Sequence, residues 1–307
     1  MKVLITGGAG YIGTELSRAL VKSPEIEEVT VYDNLSRNCY SLFLGHKKEE
    51  YQKLRFVQGE LLDVRGLKKA MKGTDVVYHL AAKVTTPFNN TDPHYFEQVN
   101  HWGTADLVMA VEESDVKRLV YISSTGVYGS SVEEVTEQTI PNPRTFYGIS
   151  KYRGEEHVKR LYDKIETVIV RCGNVFGYSP AMRFDAVINK FVFEGNFSKK
   201  IAIHGDGKQL RSFIHIDKVS QALSKLSTLE IEPGVYNLVE HNLSVLDILD
   251  VVKQEVPDLE FLFINQHLKL RRLLVRPNAF LNKAAGITSG KETFHDEIRD
   301  FVGRLTF

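Results

Sequence analysis

The chain has 307 residues, 43% of them hydrophobic, which is enough for the buried core of one large or two modest domains. Basic and acidic residues balance at 39 each, so the net charge of zero gives no reason to expect nucleic acid or an anionic membrane as a partner. Cys39 and Cys172 form no CxxC pair, which favours a reduced, cytoplasmic protein. No secretory leader is evident, and no segment reaches the roughly 18 to 20 apolar residues of a membrane span, so we expect a soluble chain.

Six short apolar runs rich in β-branched residues predict buried strands. They are KVLIT from Lys2, VTVYD from Val29, LRFVQ from Leu54, DVVYHLA from Asp75, RLVYISS from Arg118 and TVIVRC from Thr167. Helix-patterned stretches at 11–22, 67–71, 95–111 and 147–162 lie between them. This alternation predicts an α/β fold, a doubly wound parallel sheet of the Rossmann type with helices on both faces.

Beyond Cys172 the alternation fades into loops, a helical stretch at 184–193, a strand-like SFIHI from Ser212, and helices near Asp217 and Val245. We place a dinucleotide-binding domain at residues 1–172, with return elements around 208–230, and a mainly substrate-binding lobe at residues 173–307. Because no linker or low-complexity tract separates the two, we expect them to pack closely around a ligand cleft.

A glycine turn joins the first predicted strand to the first predicted helix. Gly7, Gly10 and Gly13 form the pattern GxxGxxG within TGGAGYIG. Without side chains the turn can be tight, and backbone amides can approach a pyrophosphate at the helix N-terminus. A glycine-rich turn without function is the alternative, but the strand before it and the helix after it favour a dinucleotide site.

An acidic residue, Asp33, ends the second predicted strand twenty residues beyond Gly13. A carboxylate there accepts hydrogen bonds from both ribose hydroxyls of the adenosine and repels a 2'-phosphate. This favours NAD over NADP, although the nearby Arg37 keeps the preference from being decisive. The alternative for Asp33 is a turn-forming role before Asn34.

Tyr147 and Lys151, in the run YGISK, are four residues apart and therefore share one face of a helix. A phenol has a pKa near 10, and positive charge from the lysine and from an oxidised nicotinamide would lower it toward neutrality. Ser124, in the run SSTGVYG from Ser123, ends the predicted strand that begins at Arg118, at the edge where open α/β sheets bind ligands. Its hydroxyl can hydrogen-bond a substrate oxygen, although YxxxK also arises by chance and a strand-ending serine is common.

In this order, TGGAGYIG, Asp33, HLAA at His79, Asn100, SSTGVYG and YGISK resemble the extended short-chain dehydrogenase/reductases. The resemblance extends from residue 1 to about 234 and is strongest to the NAD-dependent epimerase/dehydratase branch, typified by UDP-galactose 4-epimerase. It implies the cofactor NAD, a nucleoside diphosphate sugar as substrate, and a catalytic set of Ser124, Tyr147 and Lys151.

The resemblance also implies further contacts with the cofactor, one group of residues for each part of NAD. They are Tyr11 and Ile12 at the pyrophosphate, Asn34, Ser36 and Arg37 at the adenosine ribose, Glu60 and Leu61 at adenine, Leu80, Ala81, Ala82, Lys83 and Cys172 at the nicotinamide side, and Asn100, Tyr147 and Lys151 near the reacting centre. A polar residue bonded to backbone within a helix is the alternative for Asn100.

For the substrate, the resemblance points to Asn174 in RCGNVFG and Arg211 in HGDGKQLRSFIHIDKV as contacts of the sugar diphosphate. Arginine suits this role because its planar fork pairs with phosphate oxygens, although a surface arginine is the simpler alternative. Family dehydratases carry an acidic pair directly after the serine or threonine. Here Thr125 and Gly126 occupy those positions, which argues against dehydration.

The sequence therefore predicts a nucleotide-sugar 4-epimerase that oxidises the 4-hydroxyl by hydride transfer to bound NAD and then reduces the keto sugar on its opposite face. A reductase or dehydrogenase of a keto nucleotide sugar or another carbonyl compound is the alternative, and a non-catalytic dinucleotide-binding regulator is a third. The histidines show no metal-binding spacing, so no metal is expected. The helices at 95–111 and 147–162 carry Phe96, Trp102, Leu107 and Val158 on more than one face, which predicts a homodimer.

Overall fold

A computed structural model describes residues 1–44, 52–84, 92–265, 270, 272–288 and 290–305. Its centre is a parallel sheet of seven strands in the order β3-β2-β1-β4-β5-β7-β11. These strands are β1 (Lys2–Thr6), β2 (Glu28–Asp33), β3 (Leu54–Gln58), β4 (Val76–His79), β5 (Arg118–Ser124), β7 (Glu166–Cys172) and β11 (Gly234–Leu238). The six predicted strands and the doubly wound fold are confirmed, and β11 is an additional strand.

Helices cover both faces of this sheet, and local sequence sets their starts. They are α1 (Tyr11–Val21), α2 (Val64–Met71), α3 (Pro93–Phe96), α4 (Gly103–Glu112) and α5 (Phe146–Val158), with a π-helical segment at Glu97–Trp102 joining α3 to α4. Asp63 caps α2 by accepting from the Gly66 amide, and Thr145 caps α5 by accepting from the Gly148 amide, each at 3.0–3.1 Å. Helices α2 and α5 therefore begin where a side-chain oxygen satisfies a free amide.

A second lobe packs around its own apolar core. A three-stranded sheet contains β8 (Asn174–Phe176), β10 (Leu210–His215) and β12 (His241–Ser244), and two-stranded pairs join β9 (Lys200–His204) to β13 (Glu260–Ile264) and β6 (Glu134–Val135) to β14 (Leu274–Val275). The helices are α6 (Val187–Ser198), α7 (Ile216–Lys225), α8 (Val245–Glu255), α9 (Ala279–Ala285) and α10 (Lys291–Arg304). Phe176, Phe191 and Phe213 lie in this core with residues of α8 and α10.

Several elements of the C-terminal half return to the central sheet. Helix α7 contributes Val219 and Leu223 to the core on the α1 face, and Leu281 of α9 joins them. Strand β11 pairs with β7, whereas β10 belongs to the three-stranded sheet. The returning elements thus extend past the expected 208–230, and a domain boundary at residue 172 stays a prediction.

Three of the four side chains on which the dimer expectation was based are buried within the chain. Phe96 is 3% exposed and Leu107 and Val158 are fully buried, because they pack into the core instead of facing out. Only Trp102 is exposed, at 57%. Among the helices of the described residues, none has the length and apolar character needed to cross a membrane.

The glycine turn yields a stability prediction. A Cβ at Gly13 would lie 2.5 Å from the Gly8 Cα and 2.6 Å from the Gly7 carbonyl oxygen, so backbone atoms would have to move. We expect Gly13→Ala to lower the free energy of unfolding by about 1–3 kcal/mol, as overpacking does. Urea unfolding measures this effect.

Gly303→Ala is the matched control, since a Cβ there meets nothing within 4 Å and the residue lies in helix α10. We expect it to leave stability unchanged or slightly raised, because alanine favours a helix over glycine. Equal losses in the two variants would contradict the close approach inferred for the turn.

Candidate active site

The glycine turn lies where the end of β1 approaches the end of β4. Gly7 has a φ of +71°, and a Cβ there would come within 2.5 Å of the Ala81 backbone nitrogen, so only glycine fits. The Gly7 amide donates to the Tyr32 carbonyl, and Gly10 precedes the first turn of α1. Free amides at this helix start form a cradle suited to a pyrophosphate.

Asp33 fastens the glycine turn to the end of β2. Its two carboxylate oxygens accept from the Ala9 amide at 3.0 Å and the Leu35 amide at 2.8 Å. Asp33 therefore stabilises the turn after β2, as the alternative interpretation expected. A carboxylate has about four acceptor positions, so two remain for ribose hydroxyls.

The residues assigned to the adenosine lie beside Asp33. Asn34 donates to the Glu60 carboxylate at 3.1 Å and accepts from the Ser36 amide at 2.9 Å. Leu61 is buried against Gly103. Arg37 is exposed, and its charge interacts with those of Arg183 and Asp185 of the second lobe.

A second group of bonds joins the start of α1 to the loop after β8. Tyr11 is buried, and its hydroxyl donates to the Gly177 carbonyl at 2.5 Å. Ser179 donates to Glu15 at 2.6 Å, and Ser41 donates to the Pro180 carbonyl at 2.6 Å. Ile12 packs partly buried against the sheet core. The Tyr11 hydroxyl thus hydrogen-bonds the second lobe.

Asn100 connects the end of β4 to helix α5. The fully buried amide accepts from the Lys83 amide at 2.7 Å and donates to the Lys83 carbonyl at 2.9 Å and the Ser150 hydroxyl at 3.0 Å. Ser150 in turn donates to the Tyr147 carbonyl. Leu80, Ala81, Ala82 and Lys83 therefore follow β4 along a path that Asn100 fixes relative to the helix of Tyr147.

Ser124 and Tyr147 come together at the carboxyl edge of the sheet. The Ser124 hydroxyl lies close enough to the Tyr147 phenol to affect its pKa, and its oxygen accepts from the Gly126 amide at 3.1 Å. Burial raises the pKa of the Tyr147 phenol, while the Ser124 hydroxyl and the positive charge of Arg183 lower it in part. The phenol and hydroxyl form a pair that can hold one substrate oxygen.

The expected lowering of the phenol pKa by Lys151 stays a prediction. Its ammonium lies over the Tyr121 ring, 4.1 Å from the centroid, and among the described residues it is not one of the groups that shift the Tyr147 pKa. Burial lowers the pKa of Lys151 to about 7, against the opposing influence of Glu155. Its protonation therefore changes near neutral pH, which the four-residue spacing does not reveal.

Cys172 lies across from Ser124 in the pairing of β7 with β5. Burial raises the pKa of its thiol to about 12, so it stays neutral beside Tyr147. Thr125 is buried, and Gly126 carries no side chain. The position directly after Ser124 thus presents no carboxylate.

The two residues assigned to the sugar diphosphate lie on neighbouring strands of the second lobe. Asn174 is exposed at the start of β8 and donates to the Ser212 carbonyl at 3.0 Å. Arg211, next to Ser212 on β10, donates to the Leu210 carbonyl at 2.9 Å. Because Asn174 follows Cys172 by two residues, this pair adjoins the catalytic edge, and its role stays a prediction.

Arg183 is a candidate site residue that the sequence analysis missed. It lies in the loop between β8 and α6, pairs with Asp185 at 2.7 Å, and places positive charge near the Tyr147 phenol. No periodicity or motif marked it, because a loop of irregular structure positions it. The bond from Asn189 to the Arg183 carbonyl, at 3.0 Å, holds that loop.

One cluster of possible metal ligands lies away from this site. Glu240, His241 and Glu297 bring ligand atoms within 4.8 Å of one another. The Lys218 ammonium bonds both carboxylates, at 2.6 Å for Glu297, so a protein cation already lies between them. Burial lowers the pKa of His241, but its bonds to the two carboxylates raise it overall.

Comparison with known proteins places this arrangement in a family. Residues 3–238 match the model of the NAD dependent epimerase/dehydratase family. The chain belongs to this family. A putative UDP-glucose 4-epimerase of Methanocaldococcus jannaschii is 31% identical over 262 residues, with 83% of this chain and 82% of the relative covered. A dTDP-D-glucose 4,6-dehydratase of Mus musculus is 32% identical, over 77% of this chain and 67% of the relative.

Solved structures agree along the whole chain. UDP-glucuronic acid 4-epimerase from Bacillus cereus, in complex with UDP-glucuronic acid and NAD, superimposes with a TM-score of 0.84 at 25% identity and 100% coverage of both chains. UDP-N-acetylglucosamine 4-epimerase from Methanobrevibacter ruminantium M1 gives a TM-score of 0.85 at 25% identity, over 98% of this chain and 97% of that one. The resemblance read from the sequence is confirmed.

The buried Asn100 amide generates a prediction. Asn100→Ala leaves the Lys83 amide and carbonyl without their partner, and each buried polar group left unbonded costs about 1–3 kcal/mol. We expect a loss of more than about 2 kcal/mol in urea unfolding. Asn196→Ala, which removes one bond to the Leu305 carbonyl, is the control and should cost less than about 1 kcal/mol. Similar losses in both variants would count against a bracing role for Asn100.

Proposed function

We propose that this chain is an NAD-dependent epimerase that inverts the 4-hydroxyl of a sugar carried on a nucleoside diphosphate. The observation that carries the proposal is the meeting of Ser124 and Tyr147 at the sheet edge, with Lys151 one helical turn further along α5. The glycine cradle lies at the same edge of the sheet. Family membership and the epimerases among its relatives support the same reading.

The residues present fit NAD. The cradle leaves no space for a Cβ at Gly7 or Gly13, the start of α1 offers amides to a pyrophosphate, and the Asp33 carboxylate keeps acceptor capacity for a diol. Lys151 would hold the nicotinamide ribose. When bound, NAD supplies the hydride acceptor and donor, and its oxidised ring supplies positive charge near the phenol.

The chain's own residues would handle the proton. As a phenolate, the Tyr147 oxygen takes the proton of the sugar 4-hydroxyl while the carbon-bound hydrogen leaves as hydride, and later returns the proton to the same sugar oxygen. The Ser124 hydroxyl holds that oxygen throughout. The neutral thiol of Cys172 adds no competing charge. Between the two steps the keto sugar must rotate to present its other face.

The second lobe would provide the anchor that makes rotation productive. Asn174 and Arg211 bind the diphosphate, and the planar fork of arginine matches phosphate oxygens. An anchored nucleotide with loosely held sugar lets the ring turn without leaving the cleft. The base and sugar stay open, because the solved relatives act on different UDP sugars.

Dehydration is a poorer fit, although several relatives are dTDP-glucose 4,6-dehydratases. Elimination of water from the sugar requires an acid and a base beyond the tyrosine. Thr125 and Gly126, directly after Ser124, do not ionise. The positions that would carry this chemistry are therefore unsuited to it.

A single-turnover reductase or dehydrogenase is the second candidate, since it would use the same three residues. The two functions differ in cofactor balance. An epimerase converts a nucleotide sugar without added dinucleotide and without a net change in the absorbance of reduced nicotinamide. A reductase consumes reduced cofactor stoichiometrically. Product analysis of a panel of nucleotide sugars, run with and without added dinucleotide, separates them.

Tyr147→Phe tests the proton-transfer role. We expect kcat to fall by about 10²–10⁴-fold with little change in nucleotide-sugar binding, because the ring remains and only the hydroxyl is lost. Tyr152→Phe, on the same helix and partly buried, is the control and should retain full activity. An unchanged kcat in Tyr147→Phe would show that another group transfers the proton and would contradict the role proposed for Tyr147.

We also propose that the protein is a homodimer. Trp102 is 57% exposed and stacks on His101 at 4.5 Å, and His157 of α5 also stacks on His101, at 5.1 Å. A large exposed aromatic surface on adjacent helices favours burial against a second copy. The two unpaired cysteines support the companion proposal of a reducing, cytoplasmic location.

Trp102→Glu tests the interface. We expect sedimentation velocity to show a dimer for the unaltered chain and a monomer for the variant, because a charge at the interface centre opposes association. Val132→Glu, at a residue 84% exposed on another surface, should remain dimeric. A monomeric unaltered chain at micromolar concentration would refute the proposal.

A further inference from the structure

Beneath the proposed catalytic residues lies a buried ion pair between α5 and β7. The Arg171 guanidinium donates to both carboxylate oxygens of Glu155, from Nε at 3.0 Å and from a terminal nitrogen at 2.7 Å. Glu155 is 0% exposed and Arg171 is 2% exposed. Such a fork-to-carboxylate pair fixes direction as well as distance.

This pair contacts the strand that presents Ser124. The Ser123 hydroxyl donates at 2.5 Å to Glu155 Oε1, the oxygen that also accepts from Arg171 Nε. Ser123 directly precedes Ser124. The Arg171 guanidinium also lies over the Tyr128 ring, 4.7 Å from its centroid, in the turn that follows Ser124. The ion pair therefore fastens both sides of the catalytic serine.

The same carboxylate lies one helical turn beyond Lys151. The groups that face the Lys151 ammonium come from three elements: His79 on β4, the Tyr121 ring on β5, and Glu155 on α5. The buried His79 has its pKa lowered by burial and by Lys151, and it stays neutral. Glu155 is the only anion among these three groups.

Stability alone gives a weak reason for such a pair. Replacing a buried ion pair by apolar residues of similar volume is often neutral or stabilising, because desolvation of the two charges offsets their attraction. A role in the site accounts for charges at this position more directly.

We propose that Glu155 is a positioning residue for the reaction: its carboxylate, held by Arg171, keeps Lys151 protonated and fixes the strand end that carries Ser124. The inference rests on the proposed function for the roles of Lys151 and Ser124, but the placement of the carboxylate does not. Burial would otherwise leave the ammonium without a compensating charge.

The decisive experiment follows Lys151 directly, without substrate. Lysines labelled with ¹³C at Cε are titrated by NMR in the purified protein, and the Lys151 signal is assigned by its loss in Lys151→Arg. Because burial lowers the pKa of Lys151 to about 7, far below that of an exposed lysine, we expect its signal to stand apart. We expect Glu155→Gln to move that titration about one pH unit lower, and Glu155→Asp to leave it near its original position.

Activity provides a second readout. In Glu155→Gln the alkaline limb of the kcat profile should move to lower pH by about the same amount, so that the loss is about tenfold at pH 8 and small at pH 6. Glu156→Gln is the matched control, since the neighbouring glutamate is exposed and pairs only with Lys159 in the part of the chain described. It should leave titration and activity unchanged.

A variant that keeps the fold guards against simple unfolding. Glu155→Met combined with Arg171→Met replaces the pair by apolar side chains, and we expect it to fold while reproducing the shifted Lys151 titration of Glu155→Gln. An unshifted titration in either variant, or a pH-independent loss of activity shared by Glu155→Gln and Glu155→Asp, would overturn the proposal. Absence of epimerase activity with a normal titration shift would instead count against the proposed function.

Discussion

Parallel pairing of the central strands is the constraint on which the site depends. When β1, β4, β5 and β7 run in one direction, their carboxyl ends meet at one edge, and Gly7, Ala81, Ser124 and Cys172 come together although they are far apart in sequence. The first glycine of the turn makes this possible at the β1–β4 junction, where no side chain fits. Helix α5 then needs only one fixed orientation to bring Tyr147 to the edge.

Burial sets the chemistry at that edge. The thiol and the ammonium are buried and the phenol is partly buried, and in each case removal from water favours the neutral form. Tyr147 and Cys172 therefore resist ionisation, and Lys151 gives up its proton more easily. Charges in the surroundings, from Arg183 and Glu155, act against this tendency at two of the three groups.

The sequence predicted what short-range pattern encodes. It predicted the strand runs, the glycine turn, the place of Asp33 at the end of a strand, and the shared helix face of Tyr147 and Lys151. Each of these features depends on residues that are close together in the sequence. What it could not reveal depends on packing: Phe96 and Val158 were expected at the surface but fill the core, β11 joins the sheet from far along the chain, and Lys151 points to a ring on β5. Arg183 belongs to an irregular loop, whose position no periodicity predicts.

The hydrogen bonds that Tyr11 and Ser41 donate to the second lobe, and the one that Ser179 of that lobe donates to Glu15, have a kinetic consequence. They hold the loop after β8 against the beginning of α1 and the segment after β2, directly beside the phosphate cradle. A dinucleotide could dissociate on that side only when several of these hydrogen bonds break together. Slow dissociation suits an enzyme that regenerates its oxidised cofactor in every catalytic cycle, because one bound molecule of NAD can then support many turnovers.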